Sequence, residues 1–324
     1  MENKNNPKIA VVVPCYNEEV AIGNVIKGFR ESLSEFSNTK IIVYDNNSVD
    51  STIEIAKQAG AIVRQEERQG KGDVVRRMFR DVDADFYILV DGDATYDSSL
   101  APSMLKLAIE RQYDLVNCIR KEVDSEAYRF GHTFGNKILT KAVNMIFGNY
   151  MQDMLSGYKV LSRRFVKSFP VQSNGFDIET EIAIHALQLQ CPMGYIVGNY
   201  YKRQDGSNSK LNTYRDGFKI VKLIIALFRH EKPLIFFSLI GIMLVMISLG
   251  LGIPIVIHFI ETGLVPKLPT ALLAVGIMII AFLCFTIGII LDTVTKGRIE
   301  NKMLAYLSHK VFDPENNGDV YEKE

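Results

Sequence analysis

Residues 85–97 read DFYILVDGDATYD. The first half, FYILV, is continuously apolar rather than alternating, the pattern of a strand covered on both faces. Three carboxylates, Asp91, Asp93 and Asp97, follow immediately. The same grammar recurs on either side. KIAVVVP (8–14), KIIVYD (40–45), AIVRQ (61–65) and DLVNCI (114–119) also read as strands. EEVAIGNVIKGFRESLSEF (18–36), DSTIEIAKQAG (50–60), GDVVRRMFRDV (72–82) and SSLAPSMLKLAIERQ (98–112) carry helical periodicity between them. Strands alternating with helices predict an α/β fold with a mainly parallel, Rossmann-like sheet. Ligands of such sheets bind beyond the carboxyl ends of the strands, which places the chemistry at 14–19, 45–50, 65–71 and 91–97. Residues 130–200 are less regular, with helices expected near 132–147 and 177–190 and strands near 157–162 and 194–200.

The composition points to two environments in one chain. Of 324 residues, 48% are hydrophobic and 23% charged. Residues 234–259 and 268–291 each lack Asp, Glu, Lys and Arg, and each is long enough to cross a hydrocarbon core of ~30 Å. Between Tyr201 and Lys232 the cations outnumber the acids eight to three, and Lys296, Arg298 and Lys302 follow the second stretch, whereas 260–267 holds only Glu261 and Lys267. The positive-inside rule then puts both ends of the chain in the cytoplasm. The start of the chain has no apolar region of signal-peptide length, so residues 1–230 are expected to stay cytosolic, on the inner (cytoplasmic) membrane. Residues 213–230, TYRDGFKIVKLIIALFRH, predict a basic amphipathic helix suited to a membrane interface. Cys15, Cys118, Cys191 and Cys284 form no CxxC, and the five histidines show no ligand spacing, so neither disulfides nor zinc are expected. Nucleic acid is not an expected partner.

In an extended segment residues two apart point the same way, so Asp91 and Asp93 can face one cation, with Gly92 leaving room for close approach. Such a pair suits Mg²⁺ or Mn²⁺ shared with substrate phosphates; a solvated Asp-Gly turn is the competing reading. A calcium EF-hand is excluded, because Tyr96 and Pro102 stand where its Gly and Glu belong. Asp45, Asn46 and Asn47 offer hydrogen bonds to a base and ribose. Gly70, Lys71 and Gly72 open a helix whose amides, dipole and ammonium favour phosphate. Neither a Walker A loop nor G-x-G-x-x-G is present.

VVVPCYNEE, YDNNSVDST, GKGDVVR and DGDATYD, in this order and at these spacings, resemble the family 2 glycosyltransferases of the GT-A fold. DMLSGYKVLSRRFV (153–166), GFDIETEIAIHAL and YKRQDGSNSKL narrow the resemblance to the polyprenyl-phosphate glycosyltransferases. That group contains dolichol-phosphate mannose synthase and bacterial undecaprenyl-phosphate glucosyl- and N-acetylglucosaminyl-transferases. The resemblance covers about residues 8–230. It implies that Pro14, Tyr16 and Glu18 frame the nucleoside, with Asp45 at the base or ribose, beside the Asn47 and Lys71 read above toward the nucleoside and the phosphates. It implies that Asp91 and Asp93, flanking Gly92, bind Mg²⁺ or Mn²⁺ on the diphosphate. It places Arg203 at diphosphate or acceptor phosphate, and Ser156, Arg120 and Arg129 at the acceptor phosphate. Two departures bear on donor preference: members often read D-D-G-S where this chain has Asp45-Asn46-Asn47-Ser48, and D-A-D where it has Asp91-Gly92-Asp93.

The reading that follows is an inverting transfer of a hexose from a nucleotide sugar, UDP-linked, to undecaprenyl phosphate. The domains expected are a catalytic domain over 1–212, the amphipathic helix over 213–232, a two-span hairpin over 233–292 and a tail over 293–324. The resemblance also implies a homotetramer. Two rivals stand beside it. One is a transferase acting on a hydroxyl, for which Glu179 or Glu181 would be the base unless they cap or salt-bridge; the other is an inactive nucleotide-binding scaffold. A processive synthase with Q-x-x-R-W fails, since the chain has no Trp.

Overall fold

The computed structural model describes residues 6–122, 130–148, 151–172, 178–203 and 213–312. Arg129, most of the segment YKRQDGSNSKL and the tail from 313 lie outside them. Seven strands form one sheet: β1 (Ile9–Cys15), β2 (Thr39–Asp45), β3 (Ile62–Gln65), β4 (Phe86–Leu89), β5 (Leu115–Glu122), β6 (Lys159–Ser162) and β7 (Met193–Tyr200). Their spatial order is β3-β2-β1-β4-β6-β5-β7. β1 pairs in parallel with β2 and β4, β2 with β3, and β5 with β7. β6 runs antiparallel between β4 and β5, which reverses one strand in an otherwise parallel sheet.

The helices of this body are α1 (Ile22–Ser32), α2 (Thr52–Gln58), α3 (Lys71–Asp81), α4 (Ala101–Glu110), α5 (Phe130–Phe147), α6 (Arg163–Ser168) and α7 (Ile178–Leu189). Side-chain alternation along β1 explains the two covers. Val11, Val13 and Cys15 face one way and pack with Ile26 and Phe29 of α1 and Met104 and Leu105 of α4. Ala10 and Val12 face the other way, against Val75 and Met78 of α3, Phe165 of α6 and Ile182 of α7. The elements expected from 8–119 are all present. The six-residue α6 is the one not anticipated, being too short for periodicity; Ser162 caps it by accepting a hydrogen bond from the Phe165 amide at 3.2 Å.

The chain divides into two compact units, Met1–Gly217 with Lys302–Glu324, and Phe218–Asn301. The second holds most of α8 (Thr213–Glu231), all of α9 (Pro233–Thr262) and most of α10 (Leu268–Leu307). α9 and α10 are long and apolar enough to cross a membrane. Within this unit the two approach closely at small residues. A Cβ on Gly241 would meet the Phe285 ring at 2.9 Å, and one on Gly288 would meet Phe237 at 3.2 Å. The Ser248 hydroxyl donates to the Ala274 carbonyl at 2.7 Å, a contact typical of helices packed in lipid. Pro254 sits inside α9 without ending it.

α10 runs on to Leu307, well past the apolar stretch that ends at Leu291, because no strong breaker follows. Its end belongs to the first unit. There the Tyr306 hydroxyl donates to Asp114 at 2.6 Å, the Arg164 guanidinium lies 4.6 Å from the Tyr306 ring centroid, and Lys302 donates to Gln188 at 2.8 Å. Phe312 packs edge-on against Phe86, centroids 5.5 Å apart. Residues 302–312, placed by sequence in a tail from 293, are therefore part of the sheet-bearing body.

Candidate active site

The parallel strands β1, β2 and β4 end at one rim, and the segments after them are tied together. The Asn17 amide donates to Ser48 Oγ at 2.9 Å, and Asn17 Oδ1 accepts from the Val49 amide at 2.9 Å. The Glu18 amide donates to Thr52 Oγ1 at 2.8 Å, and Glu19 accepts from the Ser51 amide at 3.0 Å. Asn17 and Asn47 both take positive φ, 55° and 65°, which asparagine tolerates better than most residues. Pro14, Tyr16 and Glu18 are half-buried along this rim.

Asp45 ends β2 and is fully buried. Its Oδ2 accepts from the Ser48 amide at 3.1 Å, while Oδ1 has no hydrogen-bond partner among the described residues. An orphaned buried carboxylate oxygen costs stability unless a ligand donor reaches it. Asn46 and Asn47 turn instead toward the loop 66–70. Asn46 Nδ2 donates to the carbonyls of Glu66 at 2.9 Å and Arg68 at 2.7 Å, and Asn47 Nδ2 donates to that of Glu67 at 2.8 Å.

Lys71 is the first residue of α3, preceded by Gly70 at φ 147°. Its ammonium lies between two carboxylates, pairing with Asp91 Oδ1 at 2.5 Å and with Glu179 Oε1. Burial alone would lower its pKa, but Asp91 and Glu179 more than offset that and hold it above the usual lysine range. Asp93, buried to 3% exposure, pairs through Oδ2 with Arg203 at 2.8 Å, and its Oδ1 accepts from Thr95 Oγ1 at 2.6 Å. Burial pushes the Asp91 carboxyl up, yet Lys71, then Arg203 and Arg120, bring it below its ordinary value. Cys15, beneath the pair, is held well above the usual thiol range by burial and then by Glu18, Asp45, Asp91 and Asp93.

The expectation that Asp91 and Asp93 project alike from a continuing strand needs correcting. β4 stops at Leu89, and Gly92 and Asp93 lie in a turn closed by Ala94 at φ 57°. The two carboxylates reach the same mouth on different cations, not by strand alternation. Asp97 caps the turn at Ser98–Leu100, accepting from the Ser99 amide at 2.9 Å.

A further set of residues closes the mouth from the other half of the sheet. Arg120 on β5 makes a two-pronged pair with Asp153, at 2.8 Å from Nε and 2.6 Å from a terminal nitrogen, and lies 5.5 Å from the Tyr200 ring centroid. Burial would raise the Asp153 carboxyl, and Arg120 brings it below its ordinary value. Ser156 is fully buried and its Oγ accepts from the Tyr158 amide at 3.3 Å. It is Gly157, beside it, that meets the site: its amide donates to the Tyr96 hydroxyl at 2.7 Å, and a Cβ there would run into the Asp91 carboxylate. Beneath this loop Lys159 is fully buried, donating to Asn117 at 2.6 Å, and burial lowers its pKa to about 8 against the opposing pull of Asp153.

Sequence reading did not place Asp153, Gly157 or Tyr96 in the site, and offered Glu179 either as a base for a hydroxyl acceptor or as a capping or salt-bridging residue. Glu179 stands near the start of α7 and salt-bridges Lys71, whereas Glu181 turns away to accept from the Gln172 amide at 3.1 Å. Among the described residues no group of three or more Asp, Glu, His or Cys forms a cation cage of its own. Asp91 and Asp93 nevertheless suit a small hard cation that takes its other ligands from phosphate oxygens and water. Both carboxylates already carry a counter-charge at this mouth, and Gly157 leaves the space beside Asp91 clear.

The sequence matches the model of the family described as "Glycosyl transferase family 2" over residues 10–169. It is 31% identical over 246 residues to the glycosyltransferase AglJ of Haloferax volcanii, covering 76% of this chain and 80% of that one. A dolichyl-phosphate hexose transferase of the same organism is 26% identical over 227 residues, 69% of this chain and 95% of that one. Among solved structures, glucosyl-3-phosphoglycerate synthase of Mycobacterium tuberculosis in complex with Mn²⁺, UDP-glucose and phosphoglyceric acid superposes with a TM-score of 0.56 at 21% identity, covering 69% of this chain and 80% of that one. The same enzyme has also been solved with Mg²⁺ and UDP.

Proposed function

The chain belongs to glycosyl transferase family 2, and from that premise we propose that it transfers a hexose from a UDP-sugar to a polyprenyl phosphate at the cytoplasmic face of a membrane. The observation that carries the reading is the double pairing at the rim: Asp91 on Lys71 and Asp93 on Arg203, at the carboxyl end of the sheet. Two carboxylates for a cation and two cations for a diphosphate are the groups that departure of a nucleoside diphosphate needs. The dolichyl-phosphate hexose transferase among the relatives and the two membrane-length helices support the lipid acceptor.

In this reading Asp45 Oδ1 takes an N–H or hydroxyl of the nucleoside, with Pro14, Tyr16 and Glu18 around it. Asp91 and Asp93 hold Mg²⁺ or Mn²⁺, which when bound supplies Lewis acidity at the diphosphate. Lys71 and Arg203 neutralise the charge that grows on the leaving oxygens, in a mouth where preorganised cations need little rearrangement. Arg120, held by Asp153, faces the acceptor phosphate. A phosphate oxygen attacks the anomeric carbon while the bond from that carbon to the diphosphate oxygen breaks. The leaving group keeps the electron pair and the configuration inverts. The acceptor is already ionised near neutral pH, so no base is required. Glu179, ion-paired with Lys71, is a poor candidate for one, which counts against a hydroxyl acceptor.

Purified full-length protein in detergent, with Mn²⁺ or Mg²⁺, undecaprenyl phosphate and a panel of labelled UDP- and GDP-sugars, tests the proposal. A labelled lipid cleaved by mild acid is expected with a UDP-hexose. Label on a hydroxyl acceptor alone, or no transfer with any donor, overturns it.

A further inference from the structure

The loop 66–70 has no regular structure of its own, yet it ends on Lys71, the cation that bridges Asp91 and Glu179. Three of the hydrogen bonds that fix it come from one side chain, beside a single bond from Asn47 Nδ2 to the Glu67 carbonyl at 2.8 Å and one from the Glu66 amide to the Asp45 carbonyl at 2.9 Å. Asn46, 5% exposed, donates through Nδ2 to the Glu66 carbonyl at 2.9 Å and the Arg68 carbonyl at 2.7 Å, and its Oδ1 accepts from the Gly70 amide at 2.8 Å. The reverse amide orientation would set an oxygen against two carbonyls and an NH₂ against an amide, so the three partners settle which way the group points. Gly70, the last of them, holds φ 147°, open to glycine and not to ordinary residues. The tether therefore ends one residue before Lys71, at the point where the backbone is most easily lost.

We propose that Asn46 is a positioning residue: it acts through the 66–70 loop to hold Lys71 at the diphosphate. The three residues closing β2 divide their tasks. Asp45 turns its open oxygen to the nucleoside, whereas Asn46 turns away from the ligand and carries the loop. The inference rests on the nucleotide-sugar reading of the site. It assigns a reason for an amide at this position that an acid cannot meet. Aspartate has the same shape but no donor, and it would set a carboxylate against the Glu66 and Arg68 carbonyls, keeping only the Gly70 amide. Alanine loses all three bonds but adds no repulsion. Asn46→Asp is thus expected to be the more damaging change although it is the closer in shape.

The test uses full-length protein in detergent, with UDP and Mn²⁺ as the probe. In Asn46→Asp, hydrogen exchange across 66–71 is expected to quicken about tenfold, the effect of losing a buried hydrogen bond, while melting stays cooperative. UDP affinity is expected to fall about tenfold. Lys71→Ala should weaken UDP binding by itself, and adding Asn46→Asp to it should cost little more, since both changes remove the same interaction. Asn46→Ala should fall between wild type and Asn46→Asp in every readout, which keeps the test open should the aspartate variant not fold. Unchanged exchange across 66–71 overturns the tether. Fully additive losses in the double variant overturn the route through Lys71. If the wild-type protein binds neither UDP nor GDP, the nucleotide reading fails and the diphosphate role of Asn46 with it, and exchange still decides the tether.

Discussion

Segments 14–19, 45–52 and 66–71 each follow a strand of the parallel half of the sheet and are laced to one another by hydrogen bonds. Arg120, Asp153, Gly157 and Arg203 reach the same mouth from β5, from the loop ahead of β6 and from the end of β7. The first group touches itself without an ion pair, through Asn, Ser, Thr and backbone, with the carboxylates of Glu19, Asp45 and Asp50 accepting from amides and hydroxyls. The second is held by ion pairs and a close glycine. In the proposed reaction the difference is a division of labour, with a hydrogen-bonded frame for the donor and an ion-paired surface for the acceptor. The sharpest way to break it is Asp93, which serves both, since Arg203 lies on it. Asp93→Asn keeps the shape and an oxygen for Thr95 but loses the charge. Turnover is expected to fall about 10²–10³-fold, the scale for removing one preorganised electrostatic partner, with melting little changed. Wild-type turnover would remove Asp93 from the chemistry.

A smaller effect separates the two sides. Arg120→Lys keeps the charge but loses the two-pronged grip on Asp153. The KM for polyprenyl phosphate is expected to rise about tenfold, the worth of a charge-assisted bond, with UDP affinity unmoved. If UDP binding weakens as much as the acceptor KM, the division of the mouth into donor and acceptor sides is wrong.

The same contrast explains how much could be read from the sequence. Each donor segment is short, follows an apolar run and has its chemistry within a few residues of the strand end, so Asp45, Lys71, Asp91 and Asp93 were legible together. On the other side, Glu179 lies 108 positions from Lys71, Asp153 lies 33 from Arg120, and Gly157 lies 61 from Tyr96. Those separations are closed by the antiparallel insertion of β6 between β4 and β5 and by α7 packing on the same face of the sheet as α3, neither of which a local pattern announces. Ser156 was singled out for its motif, yet its hydroxyl is buried and its glycine neighbour faces the site. Asn46 was read toward the base because residue type alone does not say which way an amide turns.

Lys159 sharpens the comparison through pH. Its folded pKa is lowered to about 8 from 10.5, chiefly by burial. Below about 8 both folded and unfolded chains hold the proton and the contribution is flat. Between about 8 and 10.5 the unfolded chain binds more protons, so stability rises with pH, by at most about 3 kcal/mol. Melting temperature of the wild type is therefore expected to gain several degrees over that interval relative to Lys159→Met, which lacks the group. Parallel curves for the two proteins would mean that Lys159 is not held in a poorly solvated pocket under the acceptor loop.

The smallest effect lies on the donor side, where packing rather than charge is at stake. Cys15 ends β1 directly beneath Gly92, and a Cβ built on Gly92 would stand 2.6 Å from Cys15 Sγ. Sulfur thus fills the space that a side chain at 92 would need, and the Asp-Gly-Asp sequence follows from a cysteine four residues upstream of Glu19. Gly92→Ala should cost about 1–3 kcal/mol, the range for overpacking a filled core. Cys15→Ala alone should cost less, leaving a small gap. Together they should recover most of the loss, because the methyl enters the volume the sulfur leaves. If the double variant is instead as unstable as the sum of the two singles, the glycine is required by the turn at 92–93 and not by the thiol below it, and the frame on this side is set by backbone conformation rather than by packing.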